Sequence, residues 1–305
     1  MGRDDLRRAP ERTEWPTVGV AVVVWGAHLA LFTWHDTMPW PLTMVAFAVL
    51  GGWYMSLQHE TLHGHPSPWP VLNAAIAWVP WSLWLPFRVY RDSHLLHHDI
   101  DLTLPGVDPE SFYVSPAAWD RMGRVRRAVR WVNRTFVGRL VVGPWLGIPA
   151  TVIGGVREAR RDTSVRRTWF VHVAAAVAVG WLVFGVFGIP WWLYLVGYVW
   201  GGLAVAYVRS FAEHFPVPEP ATRCAMVRSN AVMSLLFMNV NHHHTHHSLP
   251  GVAWYRLPAL SRAMGAVAIA ADGAGAYRGY WQIVRRYGVR PLGHPVHPVA
   301  EPLPR

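Results

Sequence analysis

None of the 28 basic residues is a lysine, and the sequence has a single cysteine, Cys224. One cysteine excludes an intramolecular disulfide, a thiolate zinc finger and a Cys-ligated iron–sulfur cluster within the chain. Charged residues are scarce, 15% against roughly 25% in soluble globular chains. There is no nucleotide-binding glycine fingerprint, no fused haem domain and no recognised nucleic-acid motif, so nucleic acid is not an expected partner. In their place stand 52% apolar residues, 19 Trp, 17 His and a net charge of +10 over 305 residues. Mean hydropathy is only +0.17, so the apolar residues must be gathered in segments. Disordered, collagen-like and disulfide-stapled classes are excluded, and the composition is that of a membrane protein with a basic aqueous part.

Four segments have the length and purity of membrane spans. Residues 17–34, 41–58, 169–188 and 190–208 contain no Asp, Glu, Lys or Arg, and each approaches the ~20 residues that cross a bilayer core. Short links at 35–40 and 189–190 join them into two helical hairpins. Two further apolar stretches, 71–87 and 137–156, are ambiguous. All 28 Arg lie in 1–14, 88–167 or 209–305. The positive-inside rule therefore places both termini and the middle segment in the cytoplasm, as in a bacterial-type inner membrane. The first apolar run is too long for a cleavable signal peptide and lacks a small-residue cleavage site. The chain reads as one domain over 1–305, with an N-terminal tail at 1–14. The tail at 291–305 has five Pro and is expected to be extended or disordered.

The histidines are clustered just outside the apolar segments. His59 and His63 continue from the second span. His94, His97 and His98 follow the first ambiguous stretch, His214 follows the fourth span, and His243, His246 and His247 lie further on. Positions i, i+3 and i+4 share a helix face, so each cluster aims imidazoles at one point. Neutral imidazole ligates iron, zinc, copper or nickel. His28 and His172, isolated in spans, read as packed or water-facing residues, His35 as interfacial, and His294 and His297 as tail residues. If the clusters meet on one side of the membrane, the crossings between them must be even in number. Stretches 71–87 and 137–156, the latter with Arg139, Pro144 and Pro149, must then be re-entrant, interfacial or buried against protein.

These three boxes at these separations resemble the integral-membrane fatty acid desaturase and hydroxylase superfamily, over about residues 54–257. The flanks resemble it too: Gln58-His-Glu-Thr-Leu-His-Gly-His65, Arg88 and Arg91 before the second box, and Asn241 through Pro250. The resemblance implies an all-α membrane protein of four transmembrane helices beneath a cytosolic helical cap. It implies two irons held by His59, His63, His94, His97, His98, His214, His243, His246 and His247. Ser210 stands where some members carry an Asn one turn before the separate His. His65, His242 and His244 fall outside the pattern and read as structural or supporting residues. Glu60, Asp92, Asp99, Asp101 and Glu213 are candidates to orient imidazole N–H groups, with structural pairing to Arg as the equal alternative.

The implied activity is O2-dependent oxidation of a lipid C–H bond, first of all fatty acyl desaturation. A hydroxylase or ketolase acting on a carotenoid, alkane or other lipid is the rival within the superfamily, because the same ligands serve both outcomes. A metal transporter is the remote alternative, opposed by the lack of acids inside the spans. Electrons must come from an external ferredoxin or similar carrier, since one Cys cannot ligate a fused ferredoxin cluster.

Overall fold

The computed structural model describes residues 10–298; the outer parts of both tails lie outside the described residues. Helices dominate: α1 (Trp15–Thr33), α2 (Trp40–Leu62), α3 (Pro70–Ala77), α4 (Phe87–His97), α5 (Pro116–Asp120), α6 (Arg124–Asn133) and α7 (Phe136–Ala159). They continue with α8 (Thr163–Val186) and α9 (Trp191–Ser210), each containing a π-helical stretch. The short helices α10 (Ala231–Leu236), α11 (His243–Ser248), α12 (Leu257–Ala263), α13 (Ala266–Ala271) and α14 (Tyr280–Tyr287) complete the set. Two parallel two-residue strands, β1 (Met226–Val227) and β2 (Ala276–Tyr277), pair Met226 with Ala276 and Val227 with Tyr277. The chain separates into two compact units, 10–92 with Pro144–Ala206, and Ser93–Gly143 with 207–298.

Among the described residues five helices, α1, α2, α7, α8 and α9, are long and apolar enough to cross a membrane. Four coincide with the segments predicted from hydropathy, within a few residues at their ends. The link between α8 and α9 turns at Gly188 (φ +67°), a conformation that costs other residues strain, and Pro190 precedes the restart.

The fifth helix, α7, covers stretch 137–156, and its length and composition make it a candidate crossing where none was expected. Arg139, Pro144 and Pro149 do not break this stretch, which runs as one helix of 24 residues, about 36 Å at 1.5 Å per residue. Arg139 is accommodated because its guanidinium lies over the Phe112 ring, 3.6 Å from the centroid, and its Nε donates to Asn133 O at 2.9 Å. Helix length alone therefore gives five candidate crossings rather than four.

Stretch 71–87 is too short to cross. α3 has eight residues, about 12 Å, and irregular backbone follows it. Irregular backbone among membrane helices must find partners for its carbonyls, and here side chains supply them. Trp25 Nε1 donates to Ile76 O (3.0 Å), Gln58 Nε2 to Ala77 O (2.9 Å) and Tyr54 Oη to Val79 O (2.8 Å). Tyr194 Oη donates to Trp81 O (2.7 Å) and His172 Nε2 to Leu83 O (3.0 Å). Nearby His28 donates from Nδ1 to Val24 O at 2.8 Å and accepts from Tyr198 Oη at 2.7 Å, a packed residue.

Small residues let α2 and α9 approach closely. A Cβ added at Gly51 would stand 2.8 Å from Tyr198 O and 3.0 Å from Gly202 Cα. This is the small-residue contact by which membrane helices gain packing without a hydrophobic driving force.

In the other unit Ala266 and Ala270 of α13 pack on Met226. The described part of the tail, 291–298, is irregular and fixed in place. Leu292 N–H donates to Arg134 O (2.8 Å), Val114 N–H to Pro295 O (3.0 Å) and His297 N–H to Val114 O (3.0 Å).

Candidate metal centre

Within the unit formed by Ser93–Gly143 and 207–298, four histidines from three stretches of chain converge. His97 ends α4, His214 lies just beyond α9, and His243 and His247 sit one turn apart on α11. His214 Nε2 is 3.0 Å from His97 Nε2 and 2.9 Å from His243 Nε2. The His247 ring centroid is 4.6–5.0 Å from those of the other three. His247 Nε2 is buried without a hydrogen-bond partner. One nitrogen from each of the four lies within 4.8 Å of the others.

Beside them, in the same unit, stand His94, His98 and His246. His98 Nε2 is 3.1 Å from His94 Nε2, and the His246 centroid is 4.7 Å from His98 and 6.2 Å from His94. His98 stacks on His247 at 4.1 Å. In the other unit, His59 and His63 are both buried at the C-terminal end of α2, one turn apart, with centroids separated by 5.1 Å.

The opposite nitrogens explain why these rings point as they do. His97 Nδ1 donates to Asp108 Oδ1 (2.8 Å) and His94 Nδ1 to Glu110 Oε1 (2.7 Å). Asp108 is itself held by the backbone N–H groups of Thr103 (2.7 Å) and Glu110 (2.8 Å). His243 Nδ1 stands 3.3 Å from Glu213 Oε1, and His214 Nδ1 lies 3.5 Å from Cys224 Sγ. A carboxylate that accepts from Nδ1–H fixes the tautomer and leaves the Nε2 lone pair facing inward, as metal-ligating histidines require.

The electrostatics agree with neutral donors. Burial, reinforced by neighbouring imidazoles, holds His214, His243 and His247 well below the ordinary imidazole value. Burial also lowers His94, against the opposing pull of Glu110. His97 is the exception: burial lowers it, but Glu110 and Asp108 together outweigh that and raise it. Burial lifts Glu213 to about 7, with Arg209 opposing. Four converging imidazoles, three of them held neutral by burial and one with no hydrogen-bond partner on Nε2 among the described residues, form a donor set that suits iron, zinc or copper.

Of the acids singled out by sequence, Glu213 meets both alternatives, 3.3 Å from His243 Nδ1 and 3.4 Å from Arg209 Nη1. Asp92 pairs with Arg91 (2.9 Å) and Arg88 (3.6 Å), and Asp101 pairs with Arg223. Asp99 is exposed. Glu60 is buried in α2, grouped with Glu14 and His65, whose Nδ1 contacts Glu14 Oε2 at 2.8 Å. The two carboxylates that hold His97 and His94, Asp108 and Glu110, were not anticipated. They lie 11 and 16 positions from their partners, and only the Gly106 turn (φ +81°) hints that the chain doubles back.

A cavity of about 330 Å³ opens beside the cluster, where His98, His247 and Cys224 meet Arg223, His244 and Ser248. His244 is buried and His242 half-buried.

A family model for fatty acid desaturases matches residues 35–281, a stretch that contains all nine histidines singled out above. No curated protein matches the sequence significantly.

Proposed function

Since the chain belongs to the fatty acid desaturase family, a group of membrane oxidoreductases, we propose that it desaturates a lipid-borne fatty acyl chain with O2 and electrons from a separate carrier. The observation that supports this reading is the convergence of His97, His214, His243 and His247, with Asp108 accepting from His97 Nδ1. On the family pattern His59, His63, His94, His97, His98, His214, His243, His246 and His247 together ligate two iron ions, with the converging four holding one of them.

A reduced iron pair supplies O2 activation and removal of hydrogen from an unactivated C–H bond. The chain's own residues do the positioning. Asp108 and Glu110 keep the Nδ1 protons of His97 and His94 in place, and burial keeps His214, His243 and His247 unprotonated. No carboxylate of the matched motifs enters the proposed ligand shell, so two irons held there would keep more positive charge than in a carboxylate-bridged site.

The lone Cys224 leaves no ligand set for an internal ferredoxin cluster, so a ferredoxin-like partner delivers the electrons. The arginine distribution supports cytoplasmic termini and cytoplasmic histidine boxes, with α7 not crossing on its own, in an inner-membrane setting. Hydroxylation or ketolation by the same ligands is the rival outcome.

Expression in a host of defined lipids, followed by mass spectrometry of the acyl chains, decides the chemistry. Loss of two hydrogens, abolished in His97→Ala, supports desaturation. An added oxygen in the main product overturns it in favour of the rival.

A further inference from the structure

Helix α6 exposes its apolar side. At about 100° per residue Val125, Ala128, Val129 and Val132 share one face, and Val125 is 78% and Val132 46% exposed. Trp131 beside them is 37% exposed, and the first turns of α7 continue the surface with exposed Val137 and Val141. Arg127 turns back to the protein, donating from Nε to Trp119 O and from Nη2 to Asp120 O, both at 3.1 Å. An uncovered apolar face that runs into a membrane-length helix is the arrangement of a helix lying in the lipid interface.

A second, independent feature lies at the corner between α6 and α7. Asn133, Arg134 and Arg139 are all buried, Arg139 to 1% exposure. Among the described residues neither amide atom of Asn133 has a hydrogen-bond partner, nor do Arg134 Nε and Arg139 Nη2. Arg134 Nη2 donates to Tyr113 Oη (2.7 Å) and its guanidinium lies 4.3 Å from that ring. Among the described residues neither guanidinium has a carboxylate within 4.0 Å. Residues 121–143 hold seven Arg and no Asp or Glu. Aromatic faces recover part of the cost of burying a cation, but unmatched donors at this charge density call for an anion.

We propose that the α6–α7 corner is the seat of an anionic phospholipid headgroup. The apolar face of α6 sits among the acyl chains, Arg124 and Arg126 flank the headgroup, and the free donors of Asn133, Arg134 and Arg139 take phosphate oxygens. The seat is separate from the metal chemistry and does not depend on it.

The full chain, reconstituted in nanodiscs of mixed phosphatidylcholine and phosphatidylglycerol, is extracted mildly and its retained lipid counted by native mass spectrometry. Phosphatidylglycerol is expected to be enriched roughly fivefold over its bulk fraction, the scale of one arginine–headgroup attraction. Arg139→Met and, as a surface change that leaves the buried cluster intact, Val125→Asp should each reduce that enrichment, with iron content unchanged. A spin label at Val125→Cys should be more accessible to O2 than to a water-soluble nickel chelate; native Cys224 is buried and stays unlabelled. Raised thermal stability with inorganic phosphate in phosphatidylcholine alone, matching that with phosphatidylglycerol, would assign the seat to a soluble anion and overturn the lipid. Retention that follows the bulk lipid ratio, or a water-exposed label at position 125, overturns the proposal outright.

Discussion

Asp108 accepts the Nδ1 proton of His97 at 2.8 Å while its other oxygen accepts from Thr103 N–H at 2.7 Å, so a buried loop carboxylate sets the direction of a buried imidazole. The pair is the best-defined support at the proposed metal centre. Carboxylates that hold a ligating histidine typically change metal affinity 10- to 100-fold when removed. Asp108→Asn is therefore expected to lower iron affinity by roughly that factor in a chelator competition read by elemental analysis. Asp92→Asn, which loses only contacts to Arg88 and Arg91, should leave affinity unchanged. Equal losses in both variants would show that Asp108 acts through general charge.

His247 and His244 differ by three positions and in their surroundings. Both line the neighbouring cavity, but His247 also belongs to the four-imidazole group, where its Nε2 has no hydrogen-bond partner among the described residues, and His244 does not. Wild type should carry about two irons per chain on the proposed donor set, and His247→Ala about one or fewer. His244→Ala should keep the wild-type content. Full iron in His247→Ala would remove that residue from the ligand set.

Gly51→Val tests the close crossing of α2 and α9. The added Cβ meets Tyr198 O at 2.8 Å and Gly202 Cα at 3.0 Å, backbone atoms that cannot rotate away. Overpacking of this kind costs about 1–3 kcal/mol, expected as a lower unfolding temperature in detergent. Gly154→Val, where an added Cβ meets nothing within 4 Å, is the matched control and should change little.

Tyr194→Phe removes the donor to Trp81 O. A buried carbonyl left without its partner costs about 1–3 kcal/mol. The variant should unfold earlier yet bind iron normally, because Tyr194 touches none of the proposed ligands. Loss of iron at unchanged stability would contradict a scaffolding role.

The side of the membrane on which α7 ends is open to direct labelling. With both flanks of α7 proposed on the cytoplasmic side, Arg124→Cys and Arg160→Cys should react equally with an impermeant maleimide applied from that side. Reaction of only one would establish that α7 crosses once, and the even-crossing topology would fall.

What could be read from the sequence follows the range over which each force acts. The imidazole clusters were legible because His94, His97 and His98, like His243, His246 and His247, fall at helical spacing. Glu213 was legible because it adjoins His214. Asp108 and Glu110 were not, since they reach α4 through a loop whose turns leave little trace in composition. The unbroken run of α7 was not legible for a related reason. The penalties of Arg139, Pro144 and Pro149 are local and visible, while the compensation from Phe112 and Asn133 comes from other parts of the chain. Stretch 71–87 was expected not to cross, and its helix α3 has only eight residues, but the side chains that make its irregular backbone tolerable could not be foreseen.

Those side chains have a consequence of their own. Ile76, Ala77, Val79, Trp81 and Leu83 are each gripped by the carbonyl oxygen, from Trp25, Gln58, Tyr54, Tyr194 and His172 respectively. The scaffold thus fixes the path of this segment through its backbone, while Trp81 adds side-chain packing against His28, Trp25 and Phe32 and Ala77 is fully buried. Substitution is tolerated best at exposed Trp78, where neither the carbonyl contacts nor the buried packing is touched, which makes that position the natural place to vary the shape of apolar space in this protein.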